Sequence, residues 1–168
     1  EGWYRKSFII DRKDAHKLHS LYFEGVYAQS EVWENGQKVK FNAYGYSSFK
    51  CDITSYCHPA GEVNTIAVKV TNEGKNSRWY AGSGIYRHVW LIKTDPVHLD
   101  EWGVAVRTVK VTDDEAILAI EVDVLNEKTE SAEANMVITI ISPDGEEVGV
   151  EEQSVNVDAA GKQTIAFS

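Results

Sequence analysis

Cysteine is scarce in this chain: 168 residues include two, Cys51 and Cys57. Two cysteines build no disulfide framework, and a C-x5-C spacing matches no zinc-ligand pattern. Their simplest role is as ordinary thiols in or beside a core. A disulfide between them is the alternative and needs an oxidising compartment. The histidines, His16, His19, His58, His88 and His98, are scattered, with no i, i+4 pair on a helix. No metal site and no cofactor are therefore expected. Long apolar runs are also missing. Nothing approaches the roughly 18–20 residues that span a bilayer, so no membrane partner is expected. Positive charge is in deficit, with 17 Lys and Arg against 26 Asp and Glu. That balance argues against nucleic acid, whose phosphates need clustered cations.

What is present divides in two. Residues 1–94 hold 13 basic and 9 acidic residues, and residues 95–168 hold 4 and 17. Of the 18 aromatic residues, 16 lie before residue 94, leaving Trp102 and Phe167 after it. Two compositions predict two domains, joined near Thr94-Asp95-Pro96.

Helical periodicity is almost absent and strand alternation dominates. Residues 17–23 read as a strand. Residues 25–33 read as one continuous strand, with Val26, Ala28, Ser30 and Val32 on one face and Tyr27, Gln29, Glu31 and Trp33 on the other. Asn35-Gly36 is a hairpin signal, because both residues tolerate positive φ. The returning strand is Lys38–Phe41. Further strands are expected at residues 48–53, 64–70 and 85–92, with a turn or short helix at 54–57. Residues 71–84 form a long loop rich in Gly, Asn and Ser, a type that is usually functional or mobile. After Pro96, strands at 102–111, 116–126, 134–141, 146–157 and 163–167, with a Ser-Pro-Asp-Gly turn, read as an immunoglobulin-type β-sandwich.

Four segments carry a family resemblance. Residues 23–36 follow F-x-G-V-x-x-x-x-x-V-W-x-N-G. Residues 45–54 follow G-Y-x-x-F-x-x-D-I-T. Residues 61–70 contain N-x-I-A-V-x-V. Residues 78–91 follow R-W-Y-x-G-x-G-I-Y-R-x-V-W-L. In this order, they resemble the first domain of family 2 glycoside hydrolases, the β-galactosidases, β-glucuronidases and β-mannosidases. The resemblance implies an all-β chain: a jelly-roll (galactose-binding-like) sugar-binding β-sandwich at 1–94, truncated at its N-terminus, then an immunoglobulin-like β-sandwich at 95–168, truncated at its C-terminus. Glu1-Gly2-Trp3-Tyr4-Arg5-Lys6 accordingly reads as the interior of a domain. The implied parent is an O-glycosyl hydrolase of carbohydrate metabolism, β-galactosidase-like, whose catalytic (β/α)8 barrel is a further part of the same chain.

Retaining glycosidases use two carboxylates about 5–5.5 Å apart. Glu24, Glu31 and Glu34 are the tempting pairings, but alternation sends Glu31 and Glu34 to opposite faces, and the family's catalytic glutamates belong to the barrel. No catalytic residue is therefore expected in this chain, which should be inactive alone. The expected substrate-binding residues are Asn76, Arg78, Trp79 and Tyr80, since aromatic faces meet sugar C–H groups and planar polar groups meet hydroxyls. The same loop has a second reading, docking onto the barrel. Arg78 stands about where some β-galactosidases carry an acidic residue. Gly84 is expected to meet a backbone constraint. Trp33, Trp90 and Trp102 are expected in cores or interfaces. The expected partners are the parent's barrel, a carbohydrate reached through the parent, and a second copy in a homo-oligomer. Two alternatives remain beside this: a stand-alone carbohydrate-binding module and a structural tandem of β-sandwiches.

Overall fold

A computed structural model describes residues 1–74 and 82–167. The chain separates into two compact units, Glu1–Asp95 and Pro96–Ser168. Both are all-β, and the described residues contain no α-helix.

In the first unit the strands are β1 (Gly2–Ile9), β2 (Leu18–Phe23), β3 (Val26–Tyr27), β4 (Ser30–Glu34), β5 (Gln37–Asn42), β6 (Phe49–Asp52), β7 (Val63–Val70), β8 (Gly84–Ile85) and β9 (Val89–Thr94). They form an antiparallel sheet β1-β7-β4-β5, a second sheet β6-β2-β9 and the short pair β3-β8. The sheets enclose one core. Leu21, Phe23, Phe49 and Cys51 come from one sheet, and Val32, Val68 and Val70 from the other. The rings of Phe23 and Phe49 stack at 4.8 Å. Burying each such side chain contributes about 1.5–3 kcal/mol, which drives the two sheets together.

Local chemistry sets the turns. Asn35 and Gly36 adopt φ of 49° and 82°, as a two-residue hairpin between β4 and β5 requires. The Asn35 amide donates to the Tyr56 carbonyl at 2.9 Å and to Asn64 Oδ1 at 2.8 Å. Its own oxygen accepts from the Thr65 N–H at 2.9 Å. One residue thus makes the turn and ties it to β7 and to the 3-10 turn at Thr54–Tyr56.

Two expected strands are each divided. The run 25–33 breaks after Tyr27, at a cis Tyr27–Ala28 peptide followed by Gln29 at φ 22°. Val26 and Tyr27 pair with β8, whereas Ser30–Glu34 pair with β5 and β7 in the other sheet. The chain crosses between sheets here, so one continuous strand is impossible. The run 85–92 breaks at Tyr86–His88 for a matching reason. Glu24 N–H bonds the His88 carbonyl at 3.1 Å, Tyr86 N–H bonds the Gly25 carbonyl at 3.3 Å, and the Tyr86 ring lies against Gly25. A Cβ on Gly25 would come within 2.4 Å of that ring. Arg87 consequently lies outside a strand, with its guanidinium over the Tyr86 ring at 5.9 Å.

The second unit contains β10 (Val97–Val111), β11 (Ala116–Asn126), β12 (Ala132–Ile141), β13 (Glu147–Val157) and β14 (Gly161–Phe167). Sheet β10-β11-β14 and hairpin β12-β13 share a core of Ile120, Val122, Val124, Met136, Val157, Ile165 and Phe167. The Ser142–Gly145 turn closes with Gly145 N–H donating to Ser142 O at 2.9 Å and Gly145 at φ 86°. Buried Asn126 donates to the Val157 and Glu130 carbonyls at 3.0 and 2.8 Å, which satisfies the backbone where β11 ends.

Candidate functional site

The sequence-predicted residues Asn76, Arg78, Trp79 and Tyr80 lie outside the described residues. The stems of their loop are described. Thr71 N–H donates to the Gln29 carbonyl at 3.1 Å. Asn72 Nδ2 donates to Ser83 Oγ at 2.7 Å, linking the outgoing and returning stems. Gly84 sits at φ 121°, with Tyr4 Oη 2.1 Å from where a Cβ would stand. Positive φ and close packing therefore both apply at this glycine.

Beside the outgoing stem lies an open cleft of about 390 Å³, lined by Tyr27, Gln29, Tyr44, Gly45, Tyr46, Thr71 and Glu73 among others. It is built from the bottom up by glycine. Gly45 lies on the Tyr27 ring, where an added Cβ would meet Cδ2 at 2.5 Å. Tyr86 Oη–H donates to the Gly45 carbonyl at 2.8 Å, and Asn42 Nδ2 donates to the Tyr44 carbonyl at 2.7 Å. Tyr27 is buried, and its ring centroid lies 5.1 Å from that of Tyr46. Burial and the neighbouring Tyr46 hydroxyl push the Tyr27 phenol above its ordinary value. Tyr44 meets Tyr46 edge-on at 5.8 Å. The lining offers aromatic faces, an amide, a hydroxyl and one carboxylate. That set binds polar, C–H-rich molecules, but it lacks the paired carboxylates of glycoside cleavage.

The three glutamates weighed in the sequence have separate surroundings. Glu24 accepts from Trp90 Nε1 at 2.8 Å and lies 3.2 Å from His88 Nδ1. Those hydrogen bonds, Trp90's first, hold its carboxyl below the ordinary value. Glu31 pairs with Lys38 at 2.5 Å and Lys69 at 3.7 Å, and Lys38 chiefly holds its carboxyl low. Glu34 is 0% exposed, and neither carboxylate oxygen has a hydrogen-bond partner among the described residues. Burial pushes its carboxyl up to about 7, against a small opposing pull from His58. A general acid needs both a raised pKa and access to substrate. Glu24 and Glu31 lack the first, and Glu34 lacks the second.

Cys51 is buried, Cys57 half-buried, and both are free thiols. Burial raises each to about 11. Among the described residues, no three His, Cys, Asp or Glu side chains group as a metal site. No helix among them is long and apolar enough to cross a membrane. Trp90 and Trp102 are 51% and 80% exposed, so neither is a core residue of its unit. Sequence reasoning missed two features, the tyrosine cleft and buried Glu34. The signal for Glu34 was present: alternation from Val32 carries it to the core face.

Residues 1–95 match the family described as glycosyl hydrolases family 2, sugar binding domain. The chain is 41% identical to β-galactosidase BoGH2A of Bacteroides ovatus over 165 residues, which is 98% of this chain and 19% of that protein. A crystal structure of a glycosyl hydrolase family 2 member from Bacteroides cellulosilyticus superimposes with a TM-score of 0.91 at 37% identity, covering 98% of this chain and 23% of that one. A family 2 β-glucuronidase structure superimposes at 0.88 with 28% identity, covering 98% of this chain and 19% of that one. The chain thus spans about a fifth of the length of the relatives it matches. With an all-β architecture, four ordered motifs and a family match over residues 1–95, this chain belongs to glycosyl hydrolase family 2, those residues corresponding to the family's sugar binding domain.

Proposed function

We propose that this chain is the non-catalytic front portion of a longer β-galactosidase that removes terminal β-linked galactose. In this reading residues 1–94 form the jelly-roll sugar-binding domain and residues 95–168 belong to an immunoglobulin-like domain. The catalytic barrel is a further part of the parent. The first domain braces that barrel, and the loop carrying Asn76, Arg78, Trp79 and Tyr80 forms one wall of the substrate pocket. The observation that carries the reading is the 41% identity over 98% of this chain to a named β-galactosidase of which it spans only 19%. The separate surroundings of Glu24, Glu31 and Glu34 agree, since double displacement needs two facing carboxylates.

The test is to express the full reading frame and compare aryl β-galactoside with aryl β-glucuronide. Turnover of the galactoside with retention of configuration is expected. Preference for the glucuronide would overturn the assignment of substrate, and turnover of neither would overturn the assignment to a glycosidase. Substituting Arg78 with Ala in the same protein should raise KM for the galactoside. An unchanged KM would remove the loop from the pocket wall.

A further inference from the structure

Tyr44 and Tyr46 are 62% and 57% exposed, yet the loop that carries them is not loose. Three contacts pin it: Tyr86 Oη to the Gly45 carbonyl, Asn42 Nδ2 to the Tyr44 carbonyl, and the Gly45 backbone on the buried Tyr27 ring. Holding two large aromatic faces in water on a fixed loop forgoes apolar burial. It also removes the ordering cost of a later contact, which is the physical content of preorganisation.

The polar groups beside them narrow the ligand. Gln29 and Glu73 are exposed in the lining, and half-buried Thr71, whose side chain also bonds Glu1, lines the cleft with them. Amide, hydroxyl and carboxylate together satisfy a ligand with several hydroxyls, while the tyrosine faces suit its C–H surface. Among the described residues, the lining holds one carboxylate and no cation. Among these groups Glu73 repels an anionic sugar and not a neutral one. A second cavity among the described residues of this unit, about 350 Å³, has mainly apolar walls such as Phe8, Phe23, Val68 and Leu91, with Tyr4, Arg5 and Lys6 also in its lining. Its walls are mostly apolar, and its polar groups lack the amide and carboxylate found in the tyrosine cleft.

We propose that the Tyr44–Tyr46 cleft is a stacking subsite for a neutral pyranose of the parent's saccharide substrate. The ring of the sugar lies on Tyr44 or Tyr46, and Gln29, Thr71 and Glu73 accept or donate to its hydroxyls. The proposal rests on the reading of the parent as a β-galactosidase.

The experiment is ¹⁵N-resolved NMR of the 168-residue chain titrated to high millimolar concentration with methyl β-galactoside, lactose and methyl β-glucuronide. Galactoside and lactose should shift residues 27–29, 44–46 and 71–73. A Tyr44→Ala/Tyr46→Ala variant should lose those shifts while its remaining spectrum stays dispersed and unchanged. Tyr44→Phe should keep them, because stacking needs the ring and not the hydroxyl. No shift with either galactoside, or shifts confined to other residues, overturns the subsite. An equal response to the glucuronide overturns the assignment to a neutral sugar. In the full-length parent, Tyr44→Ala should raise KM for lactose by about tenfold at unchanged kcat, the loss of one aromatic contact. If the parent hydrolyses galactosides and KM does not move, the subsite fails while the β-galactosidase reading stands. If the parent hydrolyses no β-galactoside, that reading fails whatever the spectra show.

Discussion

Glu34 gives the sharpest quantitative test of the first unit. Its carboxyl is sealed in the core at the end of β4, and neither oxygen has a hydrogen-bond partner among the described residues. In the unfolded chain it ionises near 4.5, and in the folded chain near about 7. The folded state therefore holds the proton that the unfolded state gives up, and stability falls as pH rises through that window. Full stability is present below about pH 4.5, and the loss is complete above about pH 7. At 1.36 kcal/mol per pH unit the loss is about 3 kcal/mol. For a unit of this size that corresponds to roughly 10–20 °C in Tm. Glu34→Gln, which cannot ionise, removes this dependence and should melt higher than the wild type at pH 8. Buried His19 works in the opposite sense. Burial lowers its pKa, so its contribution rises with pH towards 6.5. The assay is therefore a difference: urea denaturation of wild type and Glu34→Gln across about pH 4.5 to 8, with the variant's profile subtracted so that His19 cancels. A difference that grows to about 3 kcal/mol at high pH supports the reasoning. Parallel profiles would refute it, because they would mean that water or a partner solvates the carboxylate.

Three further outcomes follow from individual contacts. Gly84→Ala should cost about 2–3 kcal/mol, from its positive φ and from the clash with Tyr4 Oη. Adding Tyr4→Phe should recover part of the loss in a thermal melt, and no recovery would mean that backbone strain alone matters. Asn35→Ala breaks three hydrogen bonds and a positive-φ turn at once, and should cost about 2–4 kcal/mol by denaturant titration. Asn35→Gly, which keeps the turn geometry, should cost less. The thiols of Cys51 and Cys57, raised to about 11 by burial, should resist alkylation at about pH 8 in the folded chain and react fully in denaturant. Fast labelling of Cys51 in native buffer would contradict its place in the core.

Much of the fold was legible because its signals are local. Asn35-Gly36 declares its turn within two residues, and the strands after Pro96 are set off by turn residues. The sheet crossing at Ala28-Gln29 was not legible. Val26 and Val32 lie in different sheets but face the same core, so apolar alternation runs unbroken across the crossing. Period two reports which side of the chain is buried, not which sheet it joins. The bend at Tyr86–His88 is hidden likewise, since Gly25 creates it from a distant part of the chain. The tyrosine cleft is a long-range product of the same kind. Gly45 is close to Tyr44 in sequence, but its exposure of Tyr44 and Tyr46 depends on Tyr27 and Tyr86. Glu34 stood at a core-facing position in plain alternation, and its charge concealed the inference. Motif order indicated the family, and the family match over residues 1–95 bears that out.

The central claim is that this chain serves a glycosidase without carrying its chemistry. The most direct measurement is the rate of aryl β-galactoside hydrolysis by the purified 168-residue chain beside the protein from the full reading frame. No rate above the uncatalysed background for the chain, with turnover by the full-length protein, is the predicted result. Turnover by the chain alone, lost in Glu24→Gln or Glu31→Gln, would contradict it.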